Sequence, residues 1–139
     1  MIKTDFYKYM HLAWLTIVSL TMASQTQAQS SNSDSLYVKE LVLAENVVER
    51  KPVNVVQSFD ISDKNAWCFA RINNPRDIKT ISFKWFHDDD LHYEMDTKVG
   101  QSSNWRTYSS VTLAEGTWRV EVVGPDSTLL KEIRFNVSD

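Results

Sequence analysis

The segments between turn signals in this chain are short and rich in Val, Ile, Phe, Tyr and Trp, which favours strands over helices. Residues 67–72 read as a buried strand ended by Asn73-Asn74-Pro75. Residues 80–87 alternate Ile81, Phe83 and Trp85 or Phe86, then stop at Asp88-Asp89-Asp90. Residues 91–99 run back from there, so the pair predicts a hairpin with an acidic tip. Residues 105–113 follow, then 116–123 with Trp118, Val120 and Val122 on one face. Residues 129–137 close the series with Ile133, Phe135 and Val137 alternating against charged neighbours. Upstream, residues 36–48 fit a helical face (Leu36, Glu40, Leu41, Ala44, Val47, Val48) about as well as two strand fragments. Strand is favoured there because the rest of the chain offers sheet partners. Glu49-Arg50-Lys51-Pro52 breaks the pattern, and residues 53–59 read as a short edge strand. About seven strands with turn signals roughly every 8–12 residues predict an all-β fold, an antiparallel immunoglobulin-like β-sandwich.

The first 28 residues stand apart from this pattern. Lys3 and Lys8 precede a short apolar run over 12–23, and Thr26-Gln27-Ala28 places small residues where a signal peptidase inspects the chain. The expectation is a secretory signal peptide over 1–28, cleaved after Ala28. The apolar run falls short of the roughly 20 residues that a membrane helix needs. No cysteine lies near the cleavage point to carry a lipid. Residues 29–35 form a polar linker that can bury nothing and is expected to be disordered. The domain then covers 36–139, and the protein is expected to be periplasmic or secreted, with no membrane span after cleavage.

Charge and cysteine narrow the partners. The formal net charge is −3, and losing Lys3, Lys8 and Asp5 with the leader makes the remainder slightly more acidic. Nucleic acid and anionic lipid need clustered Lys and Arg, so neither is expected as a partner. The single cysteine, Cys68, sits among apolar neighbours and reads as a small buried hydrophobe. Without a disulfide the fold must rest on its core.

The most distinctive stretch is Trp105-Arg106-Thr107-Tyr108-Ser109-Ser110, followed by Gly116-Thr117-Trp118-Arg119-Val120-Glu121-Val122-Val123. It resembles the bacterial domain of unknown function 2914. Arg50-Lys51-Pro52-Val53, Trp67-Cys68-Phe69, Lys84-Trp85-Phe86-His87 and Phe135-Asn136-Val137 are similar to further elements of that family, so the resemblance is expected to reach back to about Leu41. Where relatives are expected to carry histidine two residues before the central tryptophan, this chain has Phe83. The resemblance implies an exported or membrane-tethered accessory domain and no established reaction.

Alternation on the 105–110 strand puts Trp105, Thr107 and Ser109 on one face and Arg106 and Tyr108 on the other. If Trp105 plugs the core, Arg106 and Tyr108 offer a planar donor beside an amphipathic ring, suited to a carboxylate, a sugar or a partner's backbone. The competing role is structural, with Arg106 stacked on an aromatic ring or paired with a strand carboxylate such as Glu121. Most of the aromatic rings fall at core-facing alternation, and if one is exposed it is expected to be Trp85, Phe86, Tyr93 or Tyr108. The segment His87-Asp88-Asp89-Asp90-Leu91-His92 holds metal-ligand residue types. Consecutive aspartates at a hairpin tip point apart, however, and serve turns through their own backbone bonds, so neither a metal nor a cofactor is expected. No nucleophile motif, phosphate loop or pair of catalytic carboxylates appears. The sequence therefore points to a non-catalytic envelope domain that binds protein through Arg106, Tyr108, Trp85 or Tyr93. A glycan-binding module using exposed aromatics stands as the alternative, and a metal-dependent hydrolase built on His87 and His92 stands third.

Overall fold

The computed structural model describes residues 34–139. The expected signal peptide and the linker through residue 33 lie outside the described residues. Nine strands make up nearly all of the domain: β1 (Tyr37–Val48), β2 (Lys51–Val56), β3 (Phe59–Asp60), β4 (Asn65–Asn74), β5 (Lys79–His87), β6 (Asp90–Val99), β7 (Ser102–Thr112), β8 (Gly116–Val123) and β9 (Leu129–Ser138). The only helical element among the described residues is one 3-10 turn at Ile61–Asp63. Residues 36–48 are one long strand, and residues 53–59 divide between the edge strands β2 and β3.

Two sheets form, in the orders β2-β1-β4-β7 and β3-β9-β8-β5-β6. Every pairing is antiparallel except β3 with β9. The order is immunoglobulin-like. Strands β1, β4 and β7 stand in the A-B-E positions of one sheet, and β5, β8 and β9 in the C-F-G positions of the other. Two departures frame the first sheet. A hairpin partner, β2, is added outside β1, and among the described residues no strand occupies the D position beside β7.

The inner faces interdigitate as period-2 alternation requires. Ile81, Phe83 and Trp85 of β5 and Val120 and Val122 of β8 are fully buried, as are Leu43, Cys68 and Ile72 from the other sheet. Trp85 ties the two layers together, because its indole Nε1 donates to Ser109 Oγ of β7 at 3.0 Å. Burial pushes the Cys68 thiol well above its usual range, which makes it an inert core residue. Cys68 lies on the strand that carries one half of the antibody-domain disulfide, while β8, the matching strand, carries no cysteine. This sandwich is held by packing.

Both two-residue hairpin loops, Glu49-Arg50 and Asp88-Asp89, have positive φ at each position, the sense that matches strand twist. The second loop is also a clasp. Asp88 Oδ1 accepts from the Thr117 amide at 2.9 Å and from the Thr117 hydroxyl at 3.1 Å, and His87 Nε2 donates to the Glu115 carbonyl at 2.8 Å. Those Thr117 bonds, helped by His87, hold the Asp88 carboxyl below its ordinary range. Its stabilising contribution is therefore present near neutrality and lost as pH falls through that lowered value. Gly116 is what lets the strands close on this clasp. Its φ is +132°, and a Cβ there would stand 2.6 Å from Asp88 Oδ1 and 2.8 Å from His87 Nε2. Gly116→Ala is expected to cost about 1–3 kcal/mol from backbone strain alone, read as a lower urea midpoint with an unchanged slope.

Candidate functional site

The outer face of the β2-β1-β4-β7 sheet is built in rows across the strands. Register sets Glu40, Arg71 and Arg106 side by side, then Val42, Phe69 and Tyr108, then Ala44, Trp67 and Ser110. Arg71 Nη2 pairs with Glu40 Oε2 at 2.6 Å. Arg106 is the next residue in that row and makes no hydrogen bond or ion pair among the described residues. Two guanidinium-bearing positions thus face each other across β4 and β7, with one carboxylate, Glu40, beside Arg71 on the β1 side. Like charges directly opposite in a sheet are unfavourable.

The β1–β2 hairpin adds to this excess. The Arg50 guanidinium carbon lies 6.0 Å from the centroid of the Trp105 ring, at the outer limit of a cation–π contact. Arg50, Lys51 and Pro52 then line a cleft of about 230 Å³ together with Glu40, Phe69, Arg71 and Arg106. Phe69 shares the outer face with Arg71, yet only 2% of it is exposed, so it forms an apolar floor to a basic cleft. Four cationic residues meet one carboxylate here, in a chain whose net charge is −3. Beside the cleft, Tyr108 is 40% exposed and tilts against Trp67 at 5.7 Å between centroids. Charge of one sign gathered in a partly walled cleft attracts and orients an anionic group. Planar guanidinium groups suit a carboxylate.

The second Trp-Arg pair shows what a structural arginine looks like in this fold. Trp118 is buried, and Arg119 points outward from the other sheet, over the Phe86 ring at 4.2 Å. Asp89 lies 3.1 Å from it and Glu121 3.2 Å. The Nε atoms of Arg71 and Arg119 are both buried without a hydrogen-bond partner, but that of Arg119 has the Glu121 carboxylate beside it. A larger groove of about 400 Å³ runs past Phe86, Asp89, Arg119 and Arg134. Its charges are already matched, with Arg134 3.4 Å from Glu132. The smaller cleft, with its unmatched charge, is the better candidate for binding an anionic group.

Several sequence expectations need correction. Trp85 is fully buried and cannot contact a ligand, because its position on β5 faces the opposing sheet. Tyr93 is 42% exposed, but it stands opposite Trp85 in register on β6, whereas Tyr108 stands on the outer face of the other sheet. The two rings form no common platform. Glu121 cannot pair with Arg106, since β7 and β8 belong to different sheets. Arg106 and Tyr108 do share the outer face as the alternation predicts. Arg50, Lys51 and Arg71 join them without any signal in the local sequence. The His87–His92 segment is committed to the scaffold. His87 stacks on Trp118 at 4.6 Å, Asp88 holds Thr117, and Asp89 holds Arg119. Among the described residues no three His, Cys, Asp or Glu side chains are arranged to hold a metal, and no helix is long and apolar enough to cross a membrane.

Residues 79–137, from β5 into β9, match the family model described as "Protein of unknown function (DUF2914)". That stretch is similar to the DUF2914 family. The match holds the Trp85 strand, the Trp105–Ser110 element and the closing Phe135-Asn136-Val137. The similarity expected back to Leu41 lies upstream of it, so the matched stretch contributes Arg106 and Tyr108 to the cleft, while Glu40, Arg50, Lys51 and Arg71 come from the preceding strands. No curated protein matches the chain. A solved structure with a similar fold is the CARDB domain of the PF1109 protein from Pyrococcus furiosus, in complex with di-metal ions. It is 13% identical, with a TM-score of 0.46 over 75% of this chain and 93% of that one. The immunoglobulin-like assignment rests on the strand order described above.

Proposed function

We propose that this is an exported, non-catalytic binding domain of the bacterial cell envelope, a protein-interaction module whose contact face is the outer surface of the β2-β1-β4-β7 sheet. The observation that carries the reading is the unpartnered Arg106 beside Arg71, on a cleft with more cations than carboxylates, next to a half-exposed tyrosine. Arg and Tyr are the side chains that most often anchor protein interfaces. Support for a non-catalytic role comes from His87, Asp88 and Cys68, the groups that chemistry would draw on, each of which is committed to the scaffold. Export rests on the leader pattern of residues 1–28. The glycan alternative loses its platform with Trp85 buried and Tyr93 and Tyr108 on different sheets.

The test compares immobilised mature domain with an Arg106→Ala, Tyr108→Ala double variant, after circular dichroism and urea unfolding have matched their folding. Each is exposed to envelope extract and to cell-wall and capsular glycans. The expected result is a protein retained by the wild type and reduced at least about tenfold on the variant, a loss of about 1.4 kcal/mol. A glycan retained in its place would establish the alternative. Equal retention by both forms would make Arg106 and Tyr108 scaffold.

A further inference from the structure

We infer that β7 is an open docking edge, on which an extended segment of a partner protein adds as a further strand with an acidic side chain opposite Arg106. The inference rests on the binding role proposed above and specifies how the partner enters.

Two sheets have four edges, and three of them carry the protections that β-proteins use against strand addition. β3 is two residues long. β2 carries Lys51, Pro52 and a left-handed Asn54 at φ 53°. β6 carries Asp90, Glu94, Asp96 and Lys98. β7 has none of these. It runs eleven residues, Arg106 is its only charged residue, and it contains no proline and no left-handed residue. Among the described residues β4 is its only strand neighbour, and the place beyond it is where an immunoglobulin sandwich holds strand D. At the start of β7 the Asn104 N–H is already used, donating to Ser102 Oγ at 3.0 Å, and Lys39 Nζ donates to the Ser103 carbonyl at 3.1 Å. Residues 105–112 remain as the docking stretch.

The rows across the sheet define the occupant. A strand added about 4.8 Å beyond β7 extends each row by one residue. The row Glu40–Arg71–Arg106 ends on two neighbouring cations, so a carboxylate in the next place would flank Arg106 as Glu40 flanks Arg71. The row Val42–Phe69–Tyr108, two residues along, ends on a half-exposed ring and calls for an apolar or aromatic side chain. The partner segment therefore carries an acidic residue and an apolar one two positions apart, in an otherwise strand-forming stretch. Main-chain bonds would supply affinity and these two side chains the selectivity.

The test uses the mature chain and an eight-residue, end-blocked peptide of Thr and Val with one Glu and one Tyr two positions apart. Its companions are a peptide with Lys in place of Glu, and a peptide of the original sequence N-methylated at alternate residues. Binding is followed by titration and by amide hydrogen exchange. The expected result is binding with slowed exchange within residues 105–112, and a drop of at least about tenfold with Arg106→Glu. The Lys peptide should regain affinity for Arg106→Glu, and the N-methylated peptide should fail. Binding that survives N-methylation without protection of β7 would overturn strand addition while leaving the Arg106 face intact as a binding surface. No binding at about millimolar peptide would overturn the inference, whereas capture of an envelope protein through Arg106 and Tyr108 would still uphold the broader role. Concentration-dependent self-association that protects β7 without peptide would replace the partner with a second copy of this chain.

Discussion

Trp85→Ala is expected to destabilise the domain by about 3–5 kcal/mol. The indole is fully buried. It meets Trp118 edge-on at 6.5 Å and Phe135 at 6.3 Å, in the T-shaped geometry that aromatic rings prefer. Removing it opens a cavity between the two sheets and orphans Ser109 Oγ, which is 2% exposed and holds the one side-chain hydrogen bond between β5 and β7. A buried hydroxyl left without its partner adds about 1–3 kcal/mol. Trp85→Phe separates the two effects, since it retains most of the ring contact and loses the donor. It is expected to cost less than Trp85→Ala, by an amount that reports the cavity. With roughly 5–15 kcal/mol holding a domain of this size, Trp85→Ala removes a large share of the margin. Urea unfolding checks it. A loss below about 1 kcal/mol would show that the sandwich is not packed around this residue.

The strands of the second sheet were legible where their alternation is clean. Ile81, Phe83 and Trp85 face one way, and β8 runs over the residues that the pattern marks. An irregularity made β1 ambiguous. In β1 the register shifts between Val38 and Glu40, so the core-facing positions fall at Val38, Leu41 and Leu43, a spacing of three and then two that imitates a helical face. In β5 the adjacent Trp85 and Phe86 take opposite faces as ordinary alternation requires, one in the core and one beneath Arg119. An apolar run shows that one of them is buried without showing which.

The basic cleft was half legible for a different reason. Arg106 and Tyr108 follow from alternation on one strand, but Arg50, Arg71 and Glu40 reach them only through strand order and register. Neither is written in local sequence. Consecutive strands β7 and β8 suggested Arg106 and Glu121 as neighbours, and the crossover between sheets separates them. The same crossover leaves Arg119 paired with carboxylates and Arg106 without one among the described residues, although the two Trp-Arg dipeptides are identical.

Asn74→Asp, the mildest change in shape available at that site, is expected to cost about 3–5 kcal/mol at neutral pH. Asn73-Asn74-Pro75 reads in the sequence as a strand end, but Asn74 is 1% exposed and acts as a knot. Its Nδ2 donates to the carbonyls of Asp77 at 2.9 Å, Val99 at 3.0 Å and Gly100 at 3.2 Å, and its Oδ1 accepts from the Arg76 amide at 3.3 Å. One amide thus joins the β4–β5 connection to the end of β6. A carboxylate of the same shape keeps the Arg76 bond and turns its other oxygen on three carbonyl oxygens, with no donor to offer and a charge removed from water. Asn74→Ala leaves the carbonyls unpaired but introduces no charge, and is expected to cost less, about 1–3 kcal/mol. The two variants also differ in their response to pH. In the folded Asn74→Asp chain, burial and the facing carbonyls favour the protonated acid, so its folded-state pKa stands above the unfolded value of about 3.9. The folded state then binds more protons, and stability relative to wild type is best below that unfolded value and falls as pH rises through the folded one. Urea midpoints at several pH values should show the gap between Asn74→Asp and wild type narrowing on acidification, while the gap for Asn74→Ala stays flat. A gap for Asn74→Asp that is equally flat would mean the carboxylate escapes to water, and that the knot is looser than its bonds imply.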